Sequence, residues 1–573
     1  MSDLALRRLL QWGRVTAFCT LVSVRGAELI NAVGGIFERA QAARRMLSEG
    51  TPCIGWHHSA SRADEQVVAE CLLELANLLG DRWLGDTQRL GGGGEGAELE
   101  RRAEAADLLY RQKLCLRLHQ VAQATLWFRR RRSWTAMKRD VVIVGGGIAG
   151  LAAAWRLRHR DVLLLEAGDR LGGRIRSDPC GDYWLNYGAH LIPGPGSLIE
   201  RMARECGLET VPVTGSMMGL AFGSTLLNNG RVETYPFRLP LSVRDRIAFA
   251  NAGLKVQRAV VRYQRSEQRY EFEDHRTFGE FLGPLPPAVH EIFSCAAHRA
   301  TAELDELSAG CGIGLFALVW GGKRSLIARN LLGGSGQLPA ALGRGLGERA
   351  RTGCRVHDIT PDGHGLVVRH DRGEVSARQV IVATQAPHAA PLVAPVAAQA
   401  AAALSQLTYG AFLSVAVETR ETSAMPYDHV YAMATPGRVF DMWTNQAQAL
   451  RGGPRRPGGS LMLFAGAERA ATLMGEADEL IVERFLADLH ELYPQTRGAI
   501  VGATVHRWKL GNVYARPGRS RLQAALEGPL GAHENLNLAG DYFAELGNIE
   551  AAARTGLAAA ERVDARIREV THV

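Results

Sequence analysis

VVIVGGGIAG, residues 141–150, reads as a short apolar strand followed by a glycine turn. Residues 151–158 then predict a helix, and residues 161–166 predict a second strand that ends in Glu166. Strand, glycine turn, helix and strand in this order are typical of a dinucleotide-binding βαβ unit. The sequence therefore predicts a phosphate-binding turn at the start of the first helix.

The glycines of this turn have separate physical roles. Gly145 permits the tight turn, Gly147 lets the backbone approach a pyrophosphate, and Gly150 lets the helix pack close to its strand. The start of the helix, at Ile148 and Ala149, offers free N–H groups and a positive dipole end to the phosphates. Together these residues predict a site for the diphosphate of a dinucleotide.

The segment EAGDRLGGR, residues 166–174, continues directly from the second strand. Glu166 lies 19 residues beyond Gly147, where a carboxylate can accept hydrogen bonds from adenosine ribose hydroxyls. The glycines bring the backbone close to a ligand, and Arg170 or Arg174 can pair with a phosphate. A nicotinamide site does not need this extension, which indicates a different dinucleotide.

The pattern of strand, GGGIAGL, second strand and LLEAGDRLGGR resembles the FAD-binding flavin amine oxidase superfamily. That superfamily includes amine oxidases, protoporphyrinogen oxidases, phytoene-type desaturases and, more distantly, UDP-galactopyranose mutases. The resemblance implies an α/β fold, in which a Rossmann-like FAD-binding domain of the GR2 type is interleaved with an α+β substrate domain. It also implies that the first part of the FAD site consists of Gly145, Gly147, Ile148, Ala149, Gly150, Glu166, Ala167, Arg170, Gly173 and Arg174.

Segments further along the chain match the superfamily in the expected order. LGGSGQLPAAL, residues 332–342, resembles its central glycine motif before a helix. Residues 354–359 resemble the strand that contacts adenine through its backbone, here at Val356. Residues 379–384, with Ala383 at the site, resemble the strand that returns to the FAD domain.

The sequences LNLAGD and GNIE near the end of the chain resemble the C-terminal flavin motif of the superfamily. The resemblance places Gly540 and Asp541 at the cofactor, with Asp541 hydrogen-bonded to the ribityl–phosphate region. Asn548 is a good N-cap for the helix that follows. The N-terminus of that helix, at Ile549, would stabilise negative charge on reduced flavin.

Two segments would pass beside the isoalloxazine ring. Gly188, Ala189 and His190 correspond to one of them, and His190 is either a catalytic base or a structural histidine bonded to backbone. Trp508 and Lys509 belong to the other, a segment that lines the cavity in relatives, where Trp508 is either an aromatic wall or a core residue. No catalytic residue is assigned, and His190, Trp508 and Lys509 are the candidates.

The expected chemistry follows from the cofactor, since FAD accepts a hydride from a C–H bond and passes the electrons to O2 or another acceptor. Amine and polyamine oxidases commonly carry a lysine on the strand that corresponds to residues 408–415, and this chain has none there. The absence favours the protoporphyrinogen oxidase and desaturase branches. We therefore expect oxidation of a C–C or C–N bond in a largely apolar or cyclic small molecule.

Other functions stay open at this stage. Residues 229–237, NGRVETYPF, resemble a segment of mutase-like members, in which Arg231, Arg238 and Arg244 would hold a sugar-nucleotide diphosphate without net oxidation. A true amine oxidase is another alternative. A third is a flavin-binding protein that acts through an interaction of residues 1–137.

Composition is that of a globular protein, with 46% hydrophobic and 22% charged residues. The formal charge of +8 comes from arginine, since only five residues are lysines, and this bias suggests a GC-rich bacterial gene. No basic stripe with interleaved aromatic residues predicts nucleic-acid binding. No uninterrupted apolar run is long enough for a transmembrane helix.

The nine cysteines contain no CxxC pair and no metal-ligand spacing, which favours reduced thiols in a cytoplasmic protein without a metal site. No cysteine follows Cys354, so none is near the C-terminal flavin motif. A thioether at that motif is therefore excluded, and we expect noncovalent FAD.

Residues 1–137 form an extra N-terminal segment with helical patterns. A small fused module, an interaction appendage that binds a protein partner, and translation upstream of a true start at Met137 all remain open. The cluster Arg129–Arg132 is either a solvated basic linker or a peripheral contact with an anionic membrane.

The predicted domain order has six parts. They are residues 1–137 (helical segment), 138–225 (first FAD-binding part), 226–330 (substrate cap), 331–395 (second FAD-binding part), 396–505 (substrate-domain sheet and helix) and 506–573 (third FAD-binding part).

Overall fold

The computed structural model describes residues 139–320, 328–363, 365–527 and 534–571, all within the second of the two units into which the chain divides, Ser133–Val573. The predicted features of residues 1–137 lie outside the described residues.

The strands are β1 Arg139–Val144, β2 Val162–Leu165, β3 Ser177–Cys180, β4 Tyr183–Asn186, β5 Ile192–Pro193, β6 Thr210–Pro212, β7 Gly219–Phe222, β8 Thr225–Leu227, β9 Ala328–Leu331, β10 Ala350–Arg351, β11 Val356–Asp362, β12 Gly365–His370, β13 Gly373–Val382, β14 Thr408–Thr419, β15 Ala432–Ala434, β16 Met442–Asn445, β17 Gly459–Gly466, β18 Ile500–Tyr514 and β19 Leu536–Leu538. The α-helices are α1 Ile148–Arg156, α2 Leu198–Glu205, α3 Tyr235–Arg238, α4 Val243–Arg265, α5 Phe278–Leu282, α6 Pro287–Ala297, α7 Ala309–Trp320, α8 Gln337–Leu346, α9 Ala386–Val393, α10 Ala398–Leu404, α11 Ala467–Leu473, α12 Asp478–Leu492, α13 Gln523–Glu527 and α14 Ile549–Thr571.

The first sheet has β1 at its centre. Its strand order is β10-β2-β1-β13-β12-β11, and β19 pairs with β13. β1 is parallel to both β2 and β13, whereas β11, β12 and β13 pair antiparallel. Because helices cover both faces of the parallel part, its strands are buried as continuous apolar runs such as VVIV. The predicted Rossmann-like α/β fold is confirmed.

The glycine turn after β1 brings two helices close together. A Cβ on Gly150 would lie 1.9 Å from the carbonyl oxygen of Gly145, so α1 can begin there only with glycine at this position. A Cβ on Gly556 in α14 would lie 2.0 Å from the carbonyl oxygen of Ala149. α1 and α14 therefore pack backbone against backbone beside the turn.

The second sheet belongs to the substrate region and has the order β18-β14-β17-β16-β15-β7-β8. One of its faces packs on α12, whose Ile481, Phe485 and Leu489 are fully buried against it. Alternate residues on the other face, such as Phe412 on β14 and Phe464 on β17, line an internal cavity. Helices α4 to α7 close this cavity from the side and share their own apolar core.

No helix among the described residues is long and apolar enough to cross a bilayer. The same residues contain no group of side chains with the arrangement of a metal site. The cysteines of the described part, Cys180, Cys206, Cys295, Cys311 and Cys354, are free thiols.

The contact between α14 and α1 predicts the effect of one added methyl group. Gly556→Ala forces the two helices apart and lowers the free energy of unfolding by about 1–3 kcal/mol. Denaturant titration with excess FAD measures this change, and Gly475→Ala is the matched control, because Gly475 is exposed and a Cβ there meets nothing within 4 Å. Equal stability of the two variants would contradict this packing.

Candidate cofactor and substrate site

A single continuous cavity of about 1760 Å³ runs from the glycine turn of the first sheet to the face of the second sheet. Pockets for one drug-sized ligand usually have volumes of about 300–1,000 Å³. The cavity therefore has room for a dinucleotide together with a second molecule. Of the predicted site residues, those that line it are Gly145, Gly147, Ile148, Ala149, Glu166, Ala167, Arg170, Gly173, Arg174, Gly188, Ala189, His190, Val356, Ala383, Trp508, Lys509, Gly540, Asp541, Asn548 and Ile549.

Gly150 is the one predicted cofactor residue that does not line the cavity. Its Cα faces the carbonyl oxygen of Gly145 instead. The direct contact of Gly150 with the cofactor stays a prediction, whereas its predicted packing role agrees with this geometry.

The start of α1 is open toward the cavity. Gly147 has φ −68° and ψ 173°, and no side chain caps the helix. A Cβ on Gly147 would meet nothing within 4 Å, so the space in front of it is free for a ligand. The N–H groups of the first helical turn, at Ile148 and Ala149, have no partner within the helix. A phosphate fits this position chemically.

Glu166 ends β2 at the edge of the cavity. Its carboxylate accepts hydrogen bonds from the backbone N–H groups of Gly146 (2.6 Å) and Gly168 (2.7 Å). Each carboxylate oxygen has a second lone pair, which leaves acceptor capacity for ribose hydroxyls. The protein thus holds this carboxylate in place before any ligand binds.

The two arginines of the predicted phosphate contact are engaged by the protein. Arg170 donates to the carbonyl oxygens of Leu171, Gly173 and Ile175, at 3.1, 2.6 and 3.0 Å. It therefore braces the loop after β2, and because Arg170 also lines the cavity, its contact with a phosphate stays a prediction.

Arg174 forms an ion pair with Asp541, with 2.8 Å between guanidinium nitrogen and carboxylate oxygen, and donates to the carbonyl oxygen of Gly511 at 3.2 Å. Although burial disfavours its charge, Asp541 outweighs this effect and raises the pKa of Arg174. The pair ties the loop after β2 to the C-terminal motif across the cavity.

The N-terminus of α14 points at the same cavity. Asn548 accepts a hydrogen bond from the N–H of Ala551 at 2.9 Å, which confirms its predicted role as N-cap. Glu550, two residues after Asn548, accepts hydrogen bonds from the N–H groups of Leu198 and Ile199 at the start of α2, at 3.0 and 3.1 Å. α14 and α2 are therefore locked together at the cavity.

His190 is held by its neighbours. Its Nδ1 lies 2.8 Å from the carbonyl oxygen of Gly188, and its Nε2 lies 3.4 Å from the side-chain nitrogen of Gln446. Burial lowers the pKa of His190, so the ring is neutral and donates from Nδ1 to Gly188. This geometry favours the structural histidine of the two readings.

Trp508 and Lys509 lie on β18 at the cavity wall. The Trp508 indole N–H donates to the carbonyl oxygen of Tyr187 at 2.8 Å, and its ring packs edge-on against His506 at a centroid distance of 4.2 Å. Burial and the nearby Arg176 lower the pKa of His506 to about 4. Lys509 is exposed toward the cavity and has no partner among the described residues.

Glu233 and Arg299 are among the charged cavity residues that were not predicted as site residues from the sequence. Glu233 accepts hydrogen bonds from the Trp320 indole N–H (3.2 Å) and from Gln257 (3.4 Å). Burial opposes its charge, but hydrogen bonds from its own backbone and from Arg231 and Trp320 lower the pKa of Glu233. Arg299 belongs to no motif that could have revealed it, whereas Glu233 lies within the mutase-like segment 229–237, where the resemblance assigns a role only to the arginines.

Comparison with known proteins identifies the family. The sequence profile of the family described as flavin containing amine oxidoreductase matches residues 148–564. The chain therefore belongs to this family. The predicted family is confirmed, and the members of this family are FAD-dependent oxidoreductases.

One curated relative is amine oxidase [flavin-containing] B of Canis lupus familiaris, which is 29% identical over 279 residues, covering 44% of this chain and 51% of the relative. The chain thus spans about half the length of such relatives. Among solved structures, cyclohexylamine oxidase from Brevibacterium oxydans has a TM-score of 0.63 at 18% identity and covers 75% of this chain and all of that one (100%). A protein assigned as a protoporphyrinogen oxidase from Exiguobacterium sp. has a TM-score of 0.59 at 20% identity, with coverage of 75% and 99%. These structures confirm the fold.

The residues of the cavity fit FAD. The open helix start at Gly147 suits the diphosphate, the fixed Glu166 carboxylate suits the adenosine ribose, and the start of α14 at Ile549 suits the flavin end. Among the described residues that line the cavity, the only cysteine is Cys354, which is fully buried beside the predicted adenine strand. Noncovalent binding agrees with this arrangement.

The open space at Gly147 predicts a variant that folds and yet does not bind FAD. Gly147→Val places its side chain in the position of the diphosphate without a clash inside the protein, so we expect a colourless protein of unchanged secondary structure. The ratio of flavin to protein absorbance measures this loss, and Gly475→Val is the control that should keep its FAD. A yellow Gly147→Val protein would place the diphosphate elsewhere.

Proposed function

We propose that the protein oxidises a C–C or C–N bond of a largely apolar or cyclic small molecule: a C–H bond would give its hydride to FAD and the adjoining carbon or nitrogen would release a proton to solvent, so that the single bond becomes a double bond. The observation that carries this proposal is the apolar lining of the cavity beyond the flavin end. Phe249, Phe293 and Phe316 line it from the helices, and Phe412, Met462 and Phe464 line it from the second sheet. Such walls bind a substrate mainly by removing apolar surface from water.

The aromatic side chains on both sides are themselves packed in place. Phe412 and Phe464 stack with 5.0 Å between ring centroids. Phe293 contacts both Phe249 and Phe316, with centroid distances of 6.0 and 5.6 Å. Preorganised walls of this kind orient a flat or cyclic substrate without a large loss of side-chain entropy on binding.

β14 supports a branch other than the amine oxidases. Its residue Ser414 is fully buried and donates to the carbonyl oxygen of Tyr187 at 2.7 Å. No lysine lies on this strand, where amine oxidases commonly carry one. The lysine that lines the cavity, Lys509, comes instead from β18.

The residues around the cavity orient the substrate and exclude water. FAD, when bound, supplies the two-electron acceptor. Tyr187 offers one carbonyl oxygen to both Trp508 and Ser414, which fixes the wall between β14 and β18. Both ring nitrogens of His190 already have hydrogen-bonding neighbours, so we assign no proton transfer to this residue. Electrons then pass to O2 or another acceptor.

A second candidate function is oxidation of an amine. The observation that favours it is Glu233, a carboxylate at the cavity that can attract a cationic substrate. Curated relatives named as amine oxidases point in the same direction. Anaerobic reduction of the flavin by amines, compared with reduction by compounds without a basic amine, separates the two candidate functions.

A mutase has less support from the geometry. Arg231, Arg238 and Arg244 are the residues that would hold its sugar-nucleotide diphosphate, and none of them lines the cavity. Arg238 donates to the backbone and side-chain oxygens of Asn229 instead, at 2.6 and 2.9 Å.

Anaerobic reduction of the bound flavin tests this proposal. We expect cyclic compounds with an oxidisable C–H bond and no basic amine to bleach the flavin bands, and Glu233→Gln to leave their rates within about twofold, since the apolar walls are unchanged. If only amines bleach the flavin and Glu233→Gln raises their KM by roughly tenfold or more, as loss of a charged hydrogen bond predicts, the amine oxidase is the correct function.

A further inference from the structure

Arg299 is a partly exposed arginine of the cavity whose side chain has no partner among the residues that the structure describes. It lies in the short helical turn His298–Ala300 after α6. No carboxylate, carbonyl or aromatic ring among the residues that the structure describes pairs with its guanidinium, whereas Arg174 and Arg451, whose side chains are also largely removed from solvent, have acidic partners. Desolvation lowers the pKa of Arg299, and no acidic group counters this effect.

Arg299 belongs to the wall of the cavity. Arg299 is one of the cavity-lining residues and is partly exposed, although its turn lies deep inside the protein. Its immediate neighbours, Ala297, His298 and Ala300, are buried. The exposed part of the side chain is therefore directed into the substrate end of the cavity.

The turn that carries Arg299 is fixed on two sides. A Cβ on Gly466 of β17 would lie 2.0 Å from the carbonyl oxygen of His298, so the turn sits directly on this strand. The Thr301 hydroxyl donates to the carbonyl oxygen of Asn512 at 3.1 Å, and Asn512 lines the cavity on β18. Arg299 thus has a defined place between the two strands.

The acidic residues nearest in sequence and packing are already engaged. Asp441 accepts from His298 at 2.6 Å and from the N–H of Gly466 at 2.8 Å, and it forms an ion pair with Arg469 at 3.1 Å. Burial disfavours a charged His298, but its bonds to Asp441 and Glu303 outweigh this effect and raise its pKa to about 9. None of these groups forms an ion pair with Arg299.

An arginine that lines a ligand cavity without an acidic partner can pair with a negatively charged group of the ligand, which offsets the cost of removing its charge from water. The geometry points to a substrate that carries a carboxylate, which Arg299 binds while the apolar walls hold the rest of the molecule. This inference rests on the proposed function, because it names the substrate class of the same cavity. A planar guanidinium fits a carboxylate with two parallel hydrogen bonds.

A carboxylate suits this position better than a phosphate. A carboxylate carries one negative charge, which one guanidinium balances. A phosphate monoester carries about −1.5 to −2 at neutral pH and would require a second cation. The cavity wall that α6 and β17 form near Arg299 is apolar and contains Phe293, Ala296 and Phe464.

Binding of simple aromatic probes to the holoenzyme tests the inference without turnover. Benzoate, benzamide and phenyl phosphate are titrated while the flavin absorption spectrum records binding. We expect benzoate to bind more tightly than both other probes. Arg299→Met should raise the Kd of benzoate by roughly 10- to 100-fold, as loss of a charged hydrogen bond predicts, and should leave benzamide unchanged.

The control variant is Arg484→Met, which removes an exposed arginine on α12 and should leave all three constants unchanged. Thermal unfolding provides a second readout. Because Arg299 has no partner to lose, Arg299→Met should keep its FAD and be at least as stable as the wild type. A structural arginine would instead show a clear loss of stability.

Three results would overturn the inference: equal affinity for benzoate and benzamide, benzoate affinity that Arg299→Met does not change, or tightest binding of phenyl phosphate. Failure of the proposed function looks different. In that case only amines would bleach the flavin, whatever the three probes do.

Discussion

The structure depends on one close contact, the approach of backbone to backbone around the glycine turn after β1. Gly150 lies against the carbonyl of Gly145, and Gly556 of α14 lies against the carbonyl of Ala149. This contact brings the starts of both α1 and α14 to one cavity, so that two positive helix ends meet the same ligand. Since the two helices come from opposite ends of the described chain, the contact also joins the parts of the discontinuous FAD-binding domain.

The sequence predicts this half of the molecule well, because backbone requirements leave a direct trace in it. The tight turn and the close packing demand glycine, the buried parallel strands demand apolar runs such as VVIV, and the helix of the C-terminal motif has Asn548 as its cap. The roles of Arg170 and Gly150 show the limit of a motif: it names residues near the cofactor without separating those that touch it from those that shape its loop.

The substrate half is predicted poorly, because long-range packing decides which side chains reach the cavity. Glu233 lies in a segment that resembles a mutase motif, yet it contacts Trp320, far away in the sequence. Arg299 follows an unremarkable helix, and only the position of its turn on β17 and β18 directs it inward. The second sheet and helices α4 to α7 thus supply an apolar chamber with few charges, and those charges carry the information about the substrate.

The most direct test of the central claim, that the cavity holds FAD without a covalent bond, is the absorption spectrum of the purified protein before and after acid precipitation. The structure predicts flavin bands in the native protein that move completely to the supernatant. Bands that stay with the precipitate, or a folded colourless protein that does not take up added FAD, would contradict it.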